Sequence, residues 1–114
     1  MGSPMIARIW NGSTTTGSAS SYEAHLRDHT FPGLSAIHGY CGGYVLSREG
    51  GTDRVRFTVI TLWDSLDAIR RFAGDDAEAA VIPAEAQALL TSFDTRASHW
   101  NVELADRGVP PHLA

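Results

Sequence analysis

The sequence has one cysteine, Cys41, in 114 residues. An internal disulfide is therefore excluded, and a reducing, cytoplasmic setting is expected. Basic residues never run longer than Arg70-Arg71, and the net charge is -4 with a pI near 5.6. Nucleic acid calls for a concentrated basic face and a membrane surface for a polybasic patch, so neither partner is expected. No apolar stretch approaches the roughly 18 residues of a membrane span. The start, "MGSPMIARIW", lacks the apolar core of a secretion signal. Internal repeats are absent, and the only low-complexity stretch is "GSTTTGSASS" at 12–21.

What remains is an ordinary globular composition, 43% hydrophobic and 19% charged, long enough for one domain. Residues 5–11, "MIARIWN", are short, apolar and β-prone, and predict a strand. The polar 12–21 stretch predicts a loop. Ser20 with Glu23 has capping-box spacing for a helix that should stop near Phe31, before Pro32-Gly33. "GYCGGYVLSRE" (39–49) predicts a strand whose glycines permit a bulge or a close backbone approach, and "RVRFTVITLW" (54–63) a second one. "GGTD" between them makes the turn of a hairpin.

Asp64 or Ser65 should cap a helix with Leu66, Ile69 and Phe72 on its apolar stripe, stopped by Gly74. "DDAEAAVIP" predicts a further short helix, with Asp75-Asp76 as a solvated loop or its cap. Residues 84–91 are ambiguous, 92–104 read as a last strand, and 105–114 as a C-terminal tail. Residues 1–4 are set aside as the remnant of a tag.

The order β-α-β-β-α-β predicts an α+β, ferredoxin-like sandwich with both helices on one face of the sheet. Val55, Phe57 and Val59 alternate with Ile60 and Leu62, so the strands offer apolar residues to both faces. A second copy of the chain is the expected cover for the bare face, giving a homodimer.

The segments "IARIW", "FPGLSAIHGYCGGYVLSR", "TLWDSLDAIRRFAG" and "SHWNVEL" together resemble the antibiotic biosynthesis monooxygenase-like family. The Pro-Gly break before strand two and Trp63-Asp64-Ser65 at the strand-three junction carry most of that resemblance, which covers residues 5–104. It implies a dimeric α/β barrel of ferredoxin-like subunits. It also implies an oxidoreductase of secondary metabolism that oxygenates a phenol or anthrone-type carbon of an aromatic or polycyclic substrate, with no cofactor. The deprotonated substrate would give an electron to O2 itself. Cyclisation or isomerisation by proton transfer, or ligand binding without chemistry, are the alternatives.

The family's site tryptophan at the end of strand three matches Trp63, but its asparagine and tyrosine fall on Val59 and Ile69. The tryptophan and histidine of the family's haem degraders fall near Arg71 and Ile82, which carries no haem role over.

The histidines are the sharpest local signal. At about 100° per residue, Ala19, Tyr22, Leu26 and Thr30 share one helix stripe. His29 is placed within that stripe, facing the sheet, and His25 at its half-exposed edge. His29 then reads as a satisfied helix histidine or as a pocket base, since imidazole changes charge near neutral pH. A metal would need more than this i,i+4 pair. His38, Cys41 or His99 would have to supply a third ligand, and Leu26 stands where an HExxH motif has glutamate. No metal is expected.

Arg8, in mid-strand, needs a carboxylate, a carbonyl or a ligand anion. Neighbouring first and last strands would bring Arg8 and Trp10 near His99 and Asn101. The catalytic candidates are thus His29, Trp63 and His99, with Trp63 read first as a core and helix-docking residue. Arg8, Trp10, Tyr22, His25 and Tyr44 are the substrate-binding candidates. Cys41 reads as an inert buried thiol.

Overall fold

The computed structural model describes residues 5–106, so the readings of residues 1–4 and of the end of the tail lie outside the described residues. Strand β1 (Ile6–Thr14) lies inside one antiparallel sheet of order β2-β3-β1-β4. Its neighbours are β2 (Tyr40–Glu49), β3 (Val55–Trp63) and β4 (Leu90–Phe93). A fifth strand, β5 (Ser98–Asn101), pairs with the other end of β1. This is the ferredoxin-like α+β arrangement that the sequence predicts.

Register assigns the faces. Arg8 pairs with Thr61, Trp10 with Val59 and Gly12 with Phe57, and this row faces the helices. Ala7, Ile9, Ile60 and Leu62 point the other way, as do Tyr44, Leu46 and Trp100 on the flanking strands. The far face is apolar and open in the single chain, with Leu46 49% and Trp100 60% exposed. The glycines of β2 act as expected. The register shifts between Tyr40 and Gly42, and a Cβ on Gly43 would lie 2.7 Å from the Ile60 carbonyl and 2.9 Å from Phe31.

The helical layer departs from the expectation in three places. The first helix starts with a tight turn over Thr16–Ser18, capped by the Thr15 hydroxyl rather than by Ser20. It then runs as α1 (Ala19–His25), a π turn (Leu26–Thr30) and α2 (Phe31–Ser35), straight through Pro32. The Phe31 N–H donates to the Leu26 carbonyl, five residues back. This wider turn opens the helix just where the proline ring would meet a carbonyl four residues back, so the chain need not break.

Helix α3 (Leu66–Ala73) begins and ends as predicted, capped by Ser65 and stopped by Gly74 at φ 88°. Ile69 is fully buried and Phe72 packs on the core, but Leu66 is exposed. "DDAEAAVIP" is not a helix: residues 75–78 bend through a turn and residues 79–83 form a strap across the helical side of the sheet. Its backbone groups have other partners. Arg8 donates to the carbonyls of Ala77 and Ala79, the Ala80 N–H to Thr95 O, and the Ala97 N–H to Glu78 O. Those bonds compete with helical ones and win over the propensity of Ala and Glu. Asp76 lies in a solvated loop, as expected, and there takes both Arg96 Nη atoms at 2.9 Å.

The ambiguous stretch contains α4 (Ala84–Leu89), which lies against α1. The single last strand is two strands, separated where Asp94 leaves the ladder. The Asp94 carbonyl accepts from Trp10 Nε1 at 2.8 Å, and its carboxylate from the Asn11 N–H at 3.2 Å.

Candidate functional site

The first helix, the sheet and the strap enclose a cavity of about 70 Å3. Its floor is the sheet row of Arg8, Trp10, Val59 and Thr61. One wall is Tyr22, His25 and Leu26, and the opposite wall is the strap at Ala80, Val81, Ile82 and Pro83. Outside it lies a second hollow of about 240 Å3, bounded by His25, His29, Thr30, Pro83 and Glu85. His25, Thr30 and Pro83 belong to both, so His25 stands at the neck between the inner cavity and the outer hollow.

His25 is half-buried, as expected, but it and not His29 meets the inner cavity. His29 is exposed and does not reach the inner cavity, whereas His25 lines it. The π turn is the reason. Each residue of a wider turn advances by less than 100°, so His29 falls behind the apolar stripe while Leu26 stays on it. The α4 helix and the strap then cover the flank that holds His25. The His25 Nε2 is buried with no hydrogen-bond partner among the described residues. Such a group is costly to leave unmet and is suited to a ligand. The imidazole rings of His25 and His29 are 5.6 Å apart. His38, Cys41 and His99 do not join them. Among the described residues, no three potential metal ligands come together.

Arg8 is 5% exposed. Its Nη1 donates to Ala77 O and contacts His99 Nε2 at 2.8 Å, its Nη2 donates to Ala79 O at 2.7 Å, and its guanidinium carbon lies 5.6 Å from the Phe72 ring centre. Arginine can only donate, so the His99 Nε2 is the acceptor and the imidazole proton sits on Nδ1. Burial first, and then the Arg8 charge, push the His99 pKa down, while Glu78 opposes them. His99 is therefore a support for Arg8 and does not itself line the cavity.

Trp10 is held by the Asp94 carbonyl, and its ring lies back over Gly12, where a Cβ would come within 2.6 Å of it. Tyr22 packs edge-on to Phe57 at 5.1 Å. Burial raises its phenol pKa far above the ordinary value, so it stays protonated and is a donor rather than a base. Tyr44, expected at the site, faces the far side of the sheet.

Trp63 is fully buried away from the cavity. It donates from Nε1 to the Thr61 hydroxyl at 2.8 Å, stacks on Phe72 and meets Tyr40 edge-on. Ile69 is buried beside it, so Val59 alone of the three positions implied by the resemblance reaches the cavity. Cys41 is half-buried, and burial together with Asp64 raises its thiol pKa. Sequence reasoning missed the strap residues Ala80–Pro83 altogether. Their signal was present in Pro83, which ends an apolar run, but helix-favouring composition hid it.

No protein-family model matches the chain, and no curated protein matches it. Solved structures do. A candidate antibiotic biosynthesis monooxygenase from Bacillus cereus superposes with a TM-score of 0.62 at 12% identity, over 90% of this chain and 96% of the other. One from Chloroflexus aurantiacus gives 0.58 at 19% identity, over 89% and 95%. A haem-degrading protein from Mycobacterium tuberculosis, solved haem-free, gives 0.57 at 17% identity, over 90% and 96%. The chain therefore has the fold of the antibiotic biosynthesis monooxygenase-like proteins over nine tenths of its length.

Proposed function

We propose that this chain is a cofactor-independent oxygenase of an aromatic, phenol- or anthrone-type metabolite, with His25 as the group that takes the substrate's proton. The observation that carries the reading is the unpartnered Nε2 of His25 at the neck of an otherwise largely apolar cavity. The substrate's phenolic oxygen would enter past His25, with its rings in the outer hollow. Proton transfer to His25 leaves a phenolate. That anion passes one electron to O2, and the resulting radical pair joins to form a carbon–oxygen bond. Loss of water from the peroxide gives the carbonyl of a quinone. In balance, a CH2 and one O2 become a C=O and one H2O. The apolar walls keep bulk water from the radical pair, and the neutral Tyr22 phenol can donate to a substrate oxygen.

Haem does not fit this site as it stands. A cavity of about 70 Å3 is small beside the roughly 150 Å3 that takes one benzene ring. Arg71, near the family's tryptophan position, is engaged on the surface with the His38 carbonyl at 2.8 Å. The test of the proposal is anthrone in air-saturated buffer, with quinone and oxygen uptake followed together, with and without EDTA. Quinone formed faster than in the protein-free control and unaffected by EDTA supports the reading. A rate equal to the control overturns it.

A second reading is favoured by Val59 and Ile69, which stand where polar site residues are implied: a ligand-binding protein without chemistry. It predicts that anthrone binds and is not turned over. A homodimer closed by the apolar far face of the sheet belongs to both readings.

A further inference from the structure

We propose that the cavity takes a ligand bearing an aryl oxyanion, a carboxylate or a phenolate, and that this oxygen pairs with the Arg8 guanidinium. Arg8 is a cation buried on the cavity floor with only neutral partners: two backbone carbonyls and the His99 imidazole. None of the ion pairs among the described residues includes it. Glu78 is the acidic group whose field it feels, and that carboxylate already accepts from Arg96 at 3.3 Å on the surface. Three of the five guanidinium N–H groups are engaged, on Ala77 O, Ala79 O and His99 Nε2.

A buried cation in a largely apolar cavity is costly without a counter-charge, and burial accordingly lowers the Arg8 pKa. A partner subunit cannot supply that charge from the far face, because Arg8 lies on the helix side of the sheet. The same cavity is lined by His25, whose Nε2 is buried without a hydrogen-bond partner among the described residues. Arg8 and His25 together suit a ligand whose negative oxygen enters the inner cavity, with its ring reaching past His25 into the outer hollow. Trp10 and Phe72 also line this cavity.

This deepens the reading above by giving the ligand its charge, and it holds for a binder as well as for an enzyme. Binding rather than turnover therefore tests it, so its failure is separable from the failure of the oxygenase reading. Benzoate and its neutral isostere benzamide would be titrated calorimetrically into the full chain, and 4-nitrophenol would be titrated with pH by its visible absorbance, free and bound. The carboxylate arm predicts that benzoate binds at least about tenfold tighter than benzamide. The phenolate arm predicts that bound nitrophenol ionises at lower pH than free nitrophenol.

Arg8→Gln should abolish both effects, and Arg8→Lys should retain part of them. Because Arg8 also holds the strap, the probe comparison on the unaltered chain stands as a test without the variants. Equal binding of benzoate and benzamide together with an unshifted nitrophenol overturns the proposal. So does failure of all probes to bind at millimolar concentration, or a full preference surviving in Arg8→Gln.

Discussion

Nη1 of Arg8 lies 2.8 Å from Nε2 of His99, so a buried cation rests on an uncharged imidazole across two paired strands. Protonating His99 would turn that acceptor into a second cation and set it against Arg8.

The first prediction follows from the sign of that coupling. The folded-state pKa of His99 is pushed down, by burial first and by Arg8 second. The unfolded chain, with an ordinary histidine pKa of about 6.5, takes up the proton first as pH falls. Stability should be indifferent to His99 above that value and should drop as the solution is acidified below it, until the folded form is protonated too. His99→Gln keeps a neutral acceptor for Arg8 and removes the titration. Urea midpoints between about pH 7 and about pH 5 should fall less steeply in this variant than in the parent. Parallel curves would show that His99 does not titrate against Arg8.

The second prediction separates core from site. Trp63 is fully buried, donates to Thr61 and does not line the cavity. Trp63→Phe should therefore lower stability by about 1–3 kcal/mol through lost volume and a lost hydrogen bond. Its rate per folded molecule on anthrone should match the parent's. A large rate loss in a variant of unchanged stability would return Trp63 to the site.

The third concerns assembly. Leu46 and Trp100 are large and exposed on the apolar far face, with Ile9, Ile60 and Leu62 on the same side. Open apolar patches of several hundred Å2 are uncommon on monomers. Sedimentation at micromolar concentration should give a dimer, and Leu46→Glu with Trp100→Glu should shift it to a monomer. A parent chain that sediments as a 12.3 kDa species contradicts this.

Most of the sheet was legible in the sequence because its signals are local, although β1 runs on to Thr14 within the stretch read as loop and the last strand is two. β-branched runs, a glycine turn and alternation in β3 fix strands, hairpin and faces without any tertiary knowledge. Ser65 and Gly74 likewise mark the ends of α3 by chemistry contained within the helix. The site was legible only in part. Arg8, Trp10, Tyr22 and His25 line one cavity, because mid-strand and helix-stripe positions point to one layer. His29 was misplaced because the π turn changes the angular step, and single-sequence periodicity assumes one step throughout. The strap was misread because its conformation is set by Arg8 and by residues 95–97, partners from distant parts of the chain. Tyr44 was drawn to the site by its chemistry, although its register sets it on the other face.

The most direct measurement compares His25 and His29 in one assay. Quinone formation from anthrone under air would be followed for the parent, His25→Ala and His29→Ala, each first shown to be folded. The account predicts a loss of about 10²–10⁴-fold for His25→Ala, the size of a lost general base, and a rate close to the parent's for His29→Ala. A His25→Ala enzyme as fast as the parent, or a loss confined to His29→Ala, would contradict it.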